Sequence, residues 1–381
     1  MNIKSLLLGS AAALVAVSGA RAADAVVVAE PEPMEYVRIC DVYGSGFYYI
    51  PGTETCLKIG GYVRAEMGFG DFFAFNSNTD EDTYFTRSRL QLRLDARSET
   101  ELGTLRGFAA LNFNYESSNN SIVSGTGAVN NAGFVVDPIS IATGFDNDDT
   151  VGFDHIYIEL GGFRVGKTDS LFTTFTDYSS GVMTDGIIGY GPFATQQIAY
   201  TWTGPNGFSI AAAVESGDEG ESAIIDDYTP HVVGGVSWTQ GWGKIGAVVG
   251  YDANNEDVAG KVRLDLNVTS QLSLFVMGGW DQDANGGFQS DADGNLVFRR
   301  DAYATWNGDY AIWAGGAYKA TEKATINAEF GYDESESYSA AVNVAYEMVP
   351  GFTVTPEVVY FNSGLTDDDA WGGRLRFQRN F

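Results

Sequence analysis

Between Tyr84 and Arg97 the chain reads Tyr-Phe-Thr-Arg-Ser-Arg-Leu-Gln-Leu-Arg-Leu-Asp-Ala-Arg. A period of two places Arg87, Arg89, Gln91, Arg93, Asp95 and Arg97 on one side and Leu90, Leu92, Leu94 and Ala96 on the other, whereas a helical period would scatter the charges. A row of guanidiniums draws in anions, and set opposite carboxylates it maintains a field that orients polar solutes and disfavours apolar ones. Arg64 and Arg106 occupy the polar sides of two similar segments. The facing carboxylates are Asp169, Asp177 and Asp185, isolated acids in the otherwise aromatic and apolar stretch 169–194, which also carries Phe172, Phe175, Tyr178, Met183, Ile187 and Ile188. Such a stretch makes a poor exposed surface. It is expected to fold inward and narrow a passage, its acids opposing Arg64, Arg87, Arg89, Arg93 and Arg106, with some of these arginines holding neighbouring acids instead.

Other chemistries find less support. The two histidines, His155 and His231, lie in separate segments and no motif singles out a serine or cysteine nucleophile, so a hydrolytic site is a remote alternative. Asp281-Gln-Asp-Ala-Asn-Gly opens like a calcium loop, yet the twelfth position is Ala292 where an EF-hand needs Glu. No catalytic residue, resident metal or cofactor is expected, and adventitious Ca2+ at acidic loops is the one metal role left open. Acids cluster at Asp146, Asp148 and Asp149, at 218–227, 281–293 and 333–336, and at 367–369, where they solvate loops or bridge through divalent cations to anionic lipopolysaccharide. The formal charge of −28 argues against nucleic acid as a partner.

The elements that must position these residues are strands. Leu57, Ile59, Val63, Ala65, Met67 and Phe69 alternate with Lys58, Tyr62, Arg64 and Glu66, and Val262, Leu264, Leu266 and Val268 with Lys261, Arg263, Asp265 and Asn267. Sixteen such segments begin near residues 57, 84, 104, 151, 162, 195, 207, 231, 243, 258, 271, 308, 324, 337, 352 and 370. Strands of about ten residues match the tilted span of a bilayer. Short turns such as Gly161-Gly162, Gly204-Pro-Asn-Gly and Val349-Pro-Gly alternate with the longer loops 71–83, 117–150, 169–194, 217–230, 281–307 and 363–369, with short turns expected on the periplasmic side. Tyr115, Trp202, Trp280, Tyr310 and Tyr360 fit interfacial girdles. The fold class is therefore all-β: a 16-stranded antiparallel transmembrane β-barrel with an inward-folded constriction loop. A barrel of that width is too wide for side chains to fill, so its lumen holds water.

The two ends give the address. Lys4, the apolar run 6–17 and Ala20-Arg21-Ala22 form a signal peptide, residues 1–22, for export to the bacterial outer membrane. Residues 23–56 form a periplasmic lead, in which Cys40 and Cys56, the only cysteines of an exported chain, close a disulfide loop, and 57–381 form the barrel. Losing Lys4 and Arg21 takes the charge from −28 to −30. Mean hydropathy of −0.09 is what a barrel with a wet interior gives, because only half of each strand faces lipid. The chain ends within an amphipathic strand at Phe381, which reads as an assembly signal for outer-membrane insertion.

Four stretches carry a family likeness. Cys-x-x-Tyr-Gly-x-Gly-Phe-Tyr-Tyr-Ile-Pro-Gly-Thr-Glu-Thr-Cys-Leu-Lys at 40–58, Ser-Glu-Thr-Glu-Leu-Gly-Thr-Leu at 98–105, Val-Pro-Gly-Phe-Thr-Val-Thr-Pro-Glu at 349–357 and the ending Ala-Trp-Gly-Gly-x-x-Arg-Phe-Gln-Arg-x-Phe resemble the alphaproteobacterial general porin family. That resemblance implies a homotrimeric, water-filled channel for passive diffusion of small hydrophilic solutes and ions, with the constriction carried by the third long loop. The acidic excess and the arginine cluster pull in opposite directions, and the expectation is weak cation selectivity. A substrate-specific or adhesive barrel is the alternative.

Overall fold

The computed structural model describes residues 38–73, 84–124, 140–218, 224–282, 287–290, 296–299, 301–365 and 368–381, with backbone alone at 118–124, 140–147, 218, 287–290 and 296–299. The leader 1–22, parts of the acidic loops 218–227, 281–293 and 367–369, and the first part of the 23–56 lead lie outside these residues. In chain order the strands are β1 (Tyr48–Tyr49), β2 (Cys56–Phe69), β3 (Phe85–Thr100), β4 (Gly103–Ser124), β5 (Ser140–Leu160), β6 (Phe163–Asp169), β7 (Ala194–Thr203), β8 (Phe208–Asp218), β9 (His231–Gln240) and β10 (Gly243–Asp252). They continue as β11 (Asp257–Asn267), β12 (Leu272–Asp281), the hairpin β13 (Gly287–Ser290) and β14 (Leu296–Arg299), then β15 (Tyr310–Lys319), β16 (Ala324–Asp333), β17 (Tyr338–Val349), β18 (Phe352–Asn362) and β19 (Asp369–Asn380). One four-residue helix, α1 (Leu171–Thr174), interrupts the series.

β2 to β12 and β15 to β19 each pair antiparallel with the next, and β19 pairs back onto β2 to close a 16-stranded barrel. Closure satisfies every ladder and leaves no edge, which a strand surrounded by apolar material requires. At the seam the backbones of Gly61 and Phe381 exchange both hydrogen bonds, at 3.0 and 3.1 Å, so Phe381 is the last rung of the closed ladder.

The two faces separate as the alternation demands. Val63, Val262, Val342 and Val358 are each about half exposed on the outside, where their neighbours Glu66, Lys261, Asn343 and Glu357 turn inward and are buried. Moving one arginine to the outer face at mid-height would cost roughly 2–4 kcal/mol, so the register cannot slip by one. Trp280 pairs across strands with Tyr310, both outward, and Trp371 packs 4.5 Å from Tyr360.

Two departures from the sequence reading have local causes. The stretch 117–150, expected to be a loop, contributes strand to both sides, since β4 runs to Ser124 and β5 starts at Ser140. Its polar residues show no alternation because the hairpin extends past the apolar belt. A bulge opposite Ala110 and Leu111 leaves Asp154 without a partner on β4 and shifts the phase of β5: Phe153 is outward before it, Ile156 and Ile158 after it. The shift brings the Asp154 carboxylate within 2.8 Å of the Gln91 amide.

Ahead of the barrel, Cys40 and Cys56 form the expected disulfide, their Cα atoms 6.0 Å apart, and with Phe47, Tyr43 and Tyr49 they make a small separate core. Tyr48 and Tyr49 pair with Leu57 and Cys56, so the lead is stitched onto β2. Burial, helped by a hydrogen bond to Glu99, pushes the Tyr43 hydroxyl up to about 12. With the cysteines 16 positions apart in sequence, replacing both by Ser is expected to lower stability by about 3 kcal/mol on the loop-entropy model, read as the urea midpoint of vesicle-embedded protein. An unchanged midpoint would show that the aromatic core alone holds this loop.

Candidate functional site

The inner wall is charged and its charges are gathered. On β2, Glu66 has a side chain with no solvent exposure and is approached by Arg87 at 2.7 Å, Arg374 at 3.2 Å, Arg376 at 2.5 Å and Arg64 at 4.0 Å. A second group joins Asp95 to Arg97 at 2.7 Å and Arg106 at 2.9 Å, and Glu159 to Arg106 at 2.9 Å and Arg164 at 2.6 Å. Arg64 also donates to Gln378 at 2.8 Å and lies 4.4 Å from the Tyr62 ring, while Arg89 donates to Asn114 at 2.6 Å and Arg93 to Gln91 at 2.5 Å. The five arginines singled out in the sequence thus take partners from the wall of β19 and β2 to β5.

The segment 170–193 leaves the wall after β6 and returns at β7, where the Ser170 amide donates to the Phe193 carbonyl at 2.7 Å. Between these ends it runs along the inner faces of the other strands. Ser170 caps α1 by accepting from the Phe172 amide at 3.1 Å, and its hydroxyl donates to Glu215 on β8 at 2.7 Å. Lys244 on β10 reaches the Phe175 carbonyl at 3.0 Å and Asp177 at 2.8 Å, and Arg263 on β11 reaches the Tyr178 carbonyl at 2.7 Å. Trp313 on β15 donates to the Ile188 carbonyl at 2.9 Å, and Asn343 on β17 to that of Gly181 at 3.1 Å. The Met183 amide donates to Glu357 on β18 at 2.5 Å, and the Met183 carbonyl accepts from Arg374 on β19 at 3.3 Å. Lys261, fully buried on β11, donates to the Tyr190 carbonyl with its ammonium 4.8 Å from the Phe172 ring centre.

Backbone carbonyls accept most of these bonds, so a segment with little regular structure still has these backbone groups paired. Its apolar side chains, Leu171, Phe172, Ile188 and Tyr190, join a buried cluster with Val233, Val248, Phe275, Met277 and Trp313 of the wall. Phe175 lies against Gly235, where an added Cβ would come within 2.6 Å of the ring.

Comparison with known proteins decides what this wall belongs to. The porin subfamily pattern matches residues 24–373. The chain is 45% identical to porin Omp2b of Brucella suis biovar 1 and 44% identical to porin Omp2b of Brucella melitensis biotype 1, each over 394 aligned residues covering all of both chains. This chain belongs to the porin subfamily. Solved structures add the fold: the outer membrane channel DcaP of Acinetobacter baumannii superposes with a TM-score of 0.61 at 15% identity, over 87% of this chain and 99% of that one. A mutant Rhodopseudomonas blastica porin gives 0.53 at 13% identity, over 85% of this chain and all of the other. The protein is thus an outer-membrane porin, a channel and not an enzyme, and its apolar outer belt has lipid for a surrounding.

Within this porin the three sequence-marked acids take different partners. Asp177, at a left-handed φ of 63° that aspartate tolerates better than most residues, pairs with Lys244. Asp169, at the end of β6, accepts from the Tyr178 hydroxyl. Asp185 accepts from the Tyr190 hydroxyl at 2.7 Å. Burial raises the Asp185 carboxyl above its ordinary range, with the Tyr190 hydrogen bond offsetting part of that rise. Burial and the neighbouring carboxylates push both tyrosine hydroxyls upward as well.

Several anchors escaped the sequence reading. Lys261, Arg263, Asn343, Glu357 and Arg374 hold the segment, and of these the alternation had placed Lys261 and Arg263 on a polar face without giving them a role. A second buried layer was missed altogether. Residues 301–307, at the end of the loop expected over 281–307, bury Ala302, Tyr303, Ala304 and Trp306. The Tyr303 ring packs tilted, its centre 5.0 Å from that of Phe172, and Thr305 accepts from the Gly191 amide at 2.8 Å. The aromatic pair after a run of aspartates was the available signal. His155 bonds Thr168 at 3.0 Å and His231 accepts from the Ala253 amide at 3.0 Å, both structural contacts.

Proposed function

We propose that small hydrophilic solutes and ions diffuse passively between segment 170–193 and the arginine-bearing wall of β2 to β5, with a weak preference for cations. One observation carries this reading: the segment is tethered to the walls of β8 to β11 and β15 to β19, whereas Arg64, Arg87, Arg89, Arg93 and Arg106 are held by their own wall. A sixteen-stranded cylinder is too wide for side chains to fill, so the remaining cross-section conducts. The segment contributes Asp177 and Asp185 and no basic residue, and the mouth carries exposed acids such as Asp226 and Asp227. These favour cations, and the guanidiniums across the passage oppose them.

The working form in this proposal is a homotrimer in outer-membrane lipid and lipopolysaccharide, exported by the 1–22 leader, assembled through the Phe381 end and needing no cofactor for transport. The 23–56 lead precedes the barrel on the periplasmic side. Planar-bilayer recording tests the whole reading. Conductance is expected to rise in groups of three steps, with a reversal potential in a salt gradient displaced modestly toward the cation value. Absence of conductance, solitary steps or clear anion preference would each overturn the corresponding part.

A further inference from the structure

We infer that Asp257, Asp281 and Asp301 form a binding site for a hard divalent cation, with Ca2+ the fitting occupant, inside the rim of the barrel. One carboxylate oxygen from each of the three lies within 4.8 Å of the others. Oxygens gathered within about twice a calcium–oxygen bond of ~2.4 Å are close enough to share a single ion. Asp257 opens β11 and Asp281 closes the paired β12, where it stands opposite Ala259, so the ladder itself brings the two together. Asp301 is the first residue of the layer 301–307, positioned by the Asn255 amide that donates to it at 2.9 Å.

The second observation is the state of the oxygens. Asp257 and Asp281 are 4% and 2% exposed, and the Oδ2 atom of each is buried and receives no hydrogen bond. Asp257 spends its other oxygen on the Val258 amide at 2.6 Å. Among the described residues no ion pair reaches either carboxylate. Two carboxylates buried side by side, each with an oxygen that receives no donor, are costly unless a cation lies between them or a proton is shared. Oxygen-only ligation suits Ca2+, whose irregular shell accepts water in the remaining positions, better than a transition metal. An ion here would tie the β11 and β12 rim to the 301–307 layer, which packs on segment 170–193 through Tyr303 and Thr305.

The test uses the full-length barrel, refolded in detergent without lipopolysaccharide and stripped with EDTA. Calorimetric titration with CaCl2 is expected to show one saturable site per chain and an upward shift in the barrel's thermal transition. Both should be lost in the Asp257→Asn/Asp281→Asn variant and kept in the Asp226→Asn/Asp227→Asn control, which removes exposed loop acids. No saturable binding to the wild type, or binding that survives the Asp257→Asn/Asp281→Asn change, overturns the inference and leaves a shared proton as the reason the pair coexists. Should that variant fail to fold, Asp301→Asn decides: weakened binding supports the site and unaltered binding refutes it. Conductance of the stripped protein is measured alongside, so loss of the channel and loss of the ion site are read separately.

Discussion

Glu66→Gln is expected to be the most damaging single substitution on the inner wall. The carboxylate is fully enclosed and is the shared partner of Arg87, Arg374 and Arg376, with Arg64 at 4.0 Å. Removing one member of a buried charge network leaves the others uncompensated, a loss of about 3–5 kcal/mol. The low end of that range applies, because the four arginine side chains keep 8–18% exposure to the lumen and water or chloride can reach them. Geometry enlarges the effect, since these arginines come from β2, β3 and β19, the strands on either side of the seam where Phe381 pairs with Gly61. Two readouts are expected to move together: a lower urea midpoint in vesicles, and a reversal potential shifted toward anions by the unmatched guanidiniums. A normal midpoint would mean that lumen water screens the cluster and that Glu66 tunes permeation only.

That cluster also shows how far the sequence could be read. Alternation alone put Arg64, Glu66, Arg87, Arg374 and Arg376 on polar faces, because a period of two is a local property of each strand. Which strands neighbour one another follows once sixteen consecutive antiparallel strands close on themselves, since closure sets β19 beside β2. Side-chain pairing is a different matter. The sequence reading aimed Asp177 and Asp185 at arginines of the early strands, whereas Asp177 meets Lys244 and Asp185 meets Tyr190. A loop's path is fixed by anchors far away in sequence: Arg263 and Asn343 lie 85 and 162 positions from the carbonyls they hold. No local pattern records such a pairing. The bulge at Asp154 hid itself similarly, by breaking the alternation at the point where it redirected an acidic side chain toward Gln91. Residues 301–307 were obscured by composition, the acids before them outweighing two buried aromatics.

Excising residues 171–192 should change permeation more than any point mutation. The Ser170 amide and Phe193 carbonyl are already hydrogen-bonded and Asp169 pairs with Ala194, so an Asn-Gly turn joining Ser170 to Phe193 completes an ordinary hairpin without moving the strands. The side chains uncovered by the excision, including Lys244, Lys261 and Arg263, face a wet lumen, where a charged surface is tolerated. Sugar-driven swelling of vesicles is expected to accelerate several-fold, single-channel conductance to rise, and selectivity to turn toward anions, because two acids and no base leave the passage. Acidity separates the segment's charge from its bulk. The raised pKa of Asp185 means that the folded segment binds its proton more tightly than an unfolded chain would. The proton's contribution to docking is therefore fully present below the pKa of the unfolded chain's carboxyl and is lost as pH rises through the folded pKa. In the intact channel Asp185 should lose its charge at a higher pH than ordinary carboxylates as the solution is acidified, so cation preference begins to fall early. The excised form should lack the part of that early step that Asp185 contributes. Equal swelling rates before and after excision would place segment 170–193 outside the conducting path and return the constriction to the wall itself.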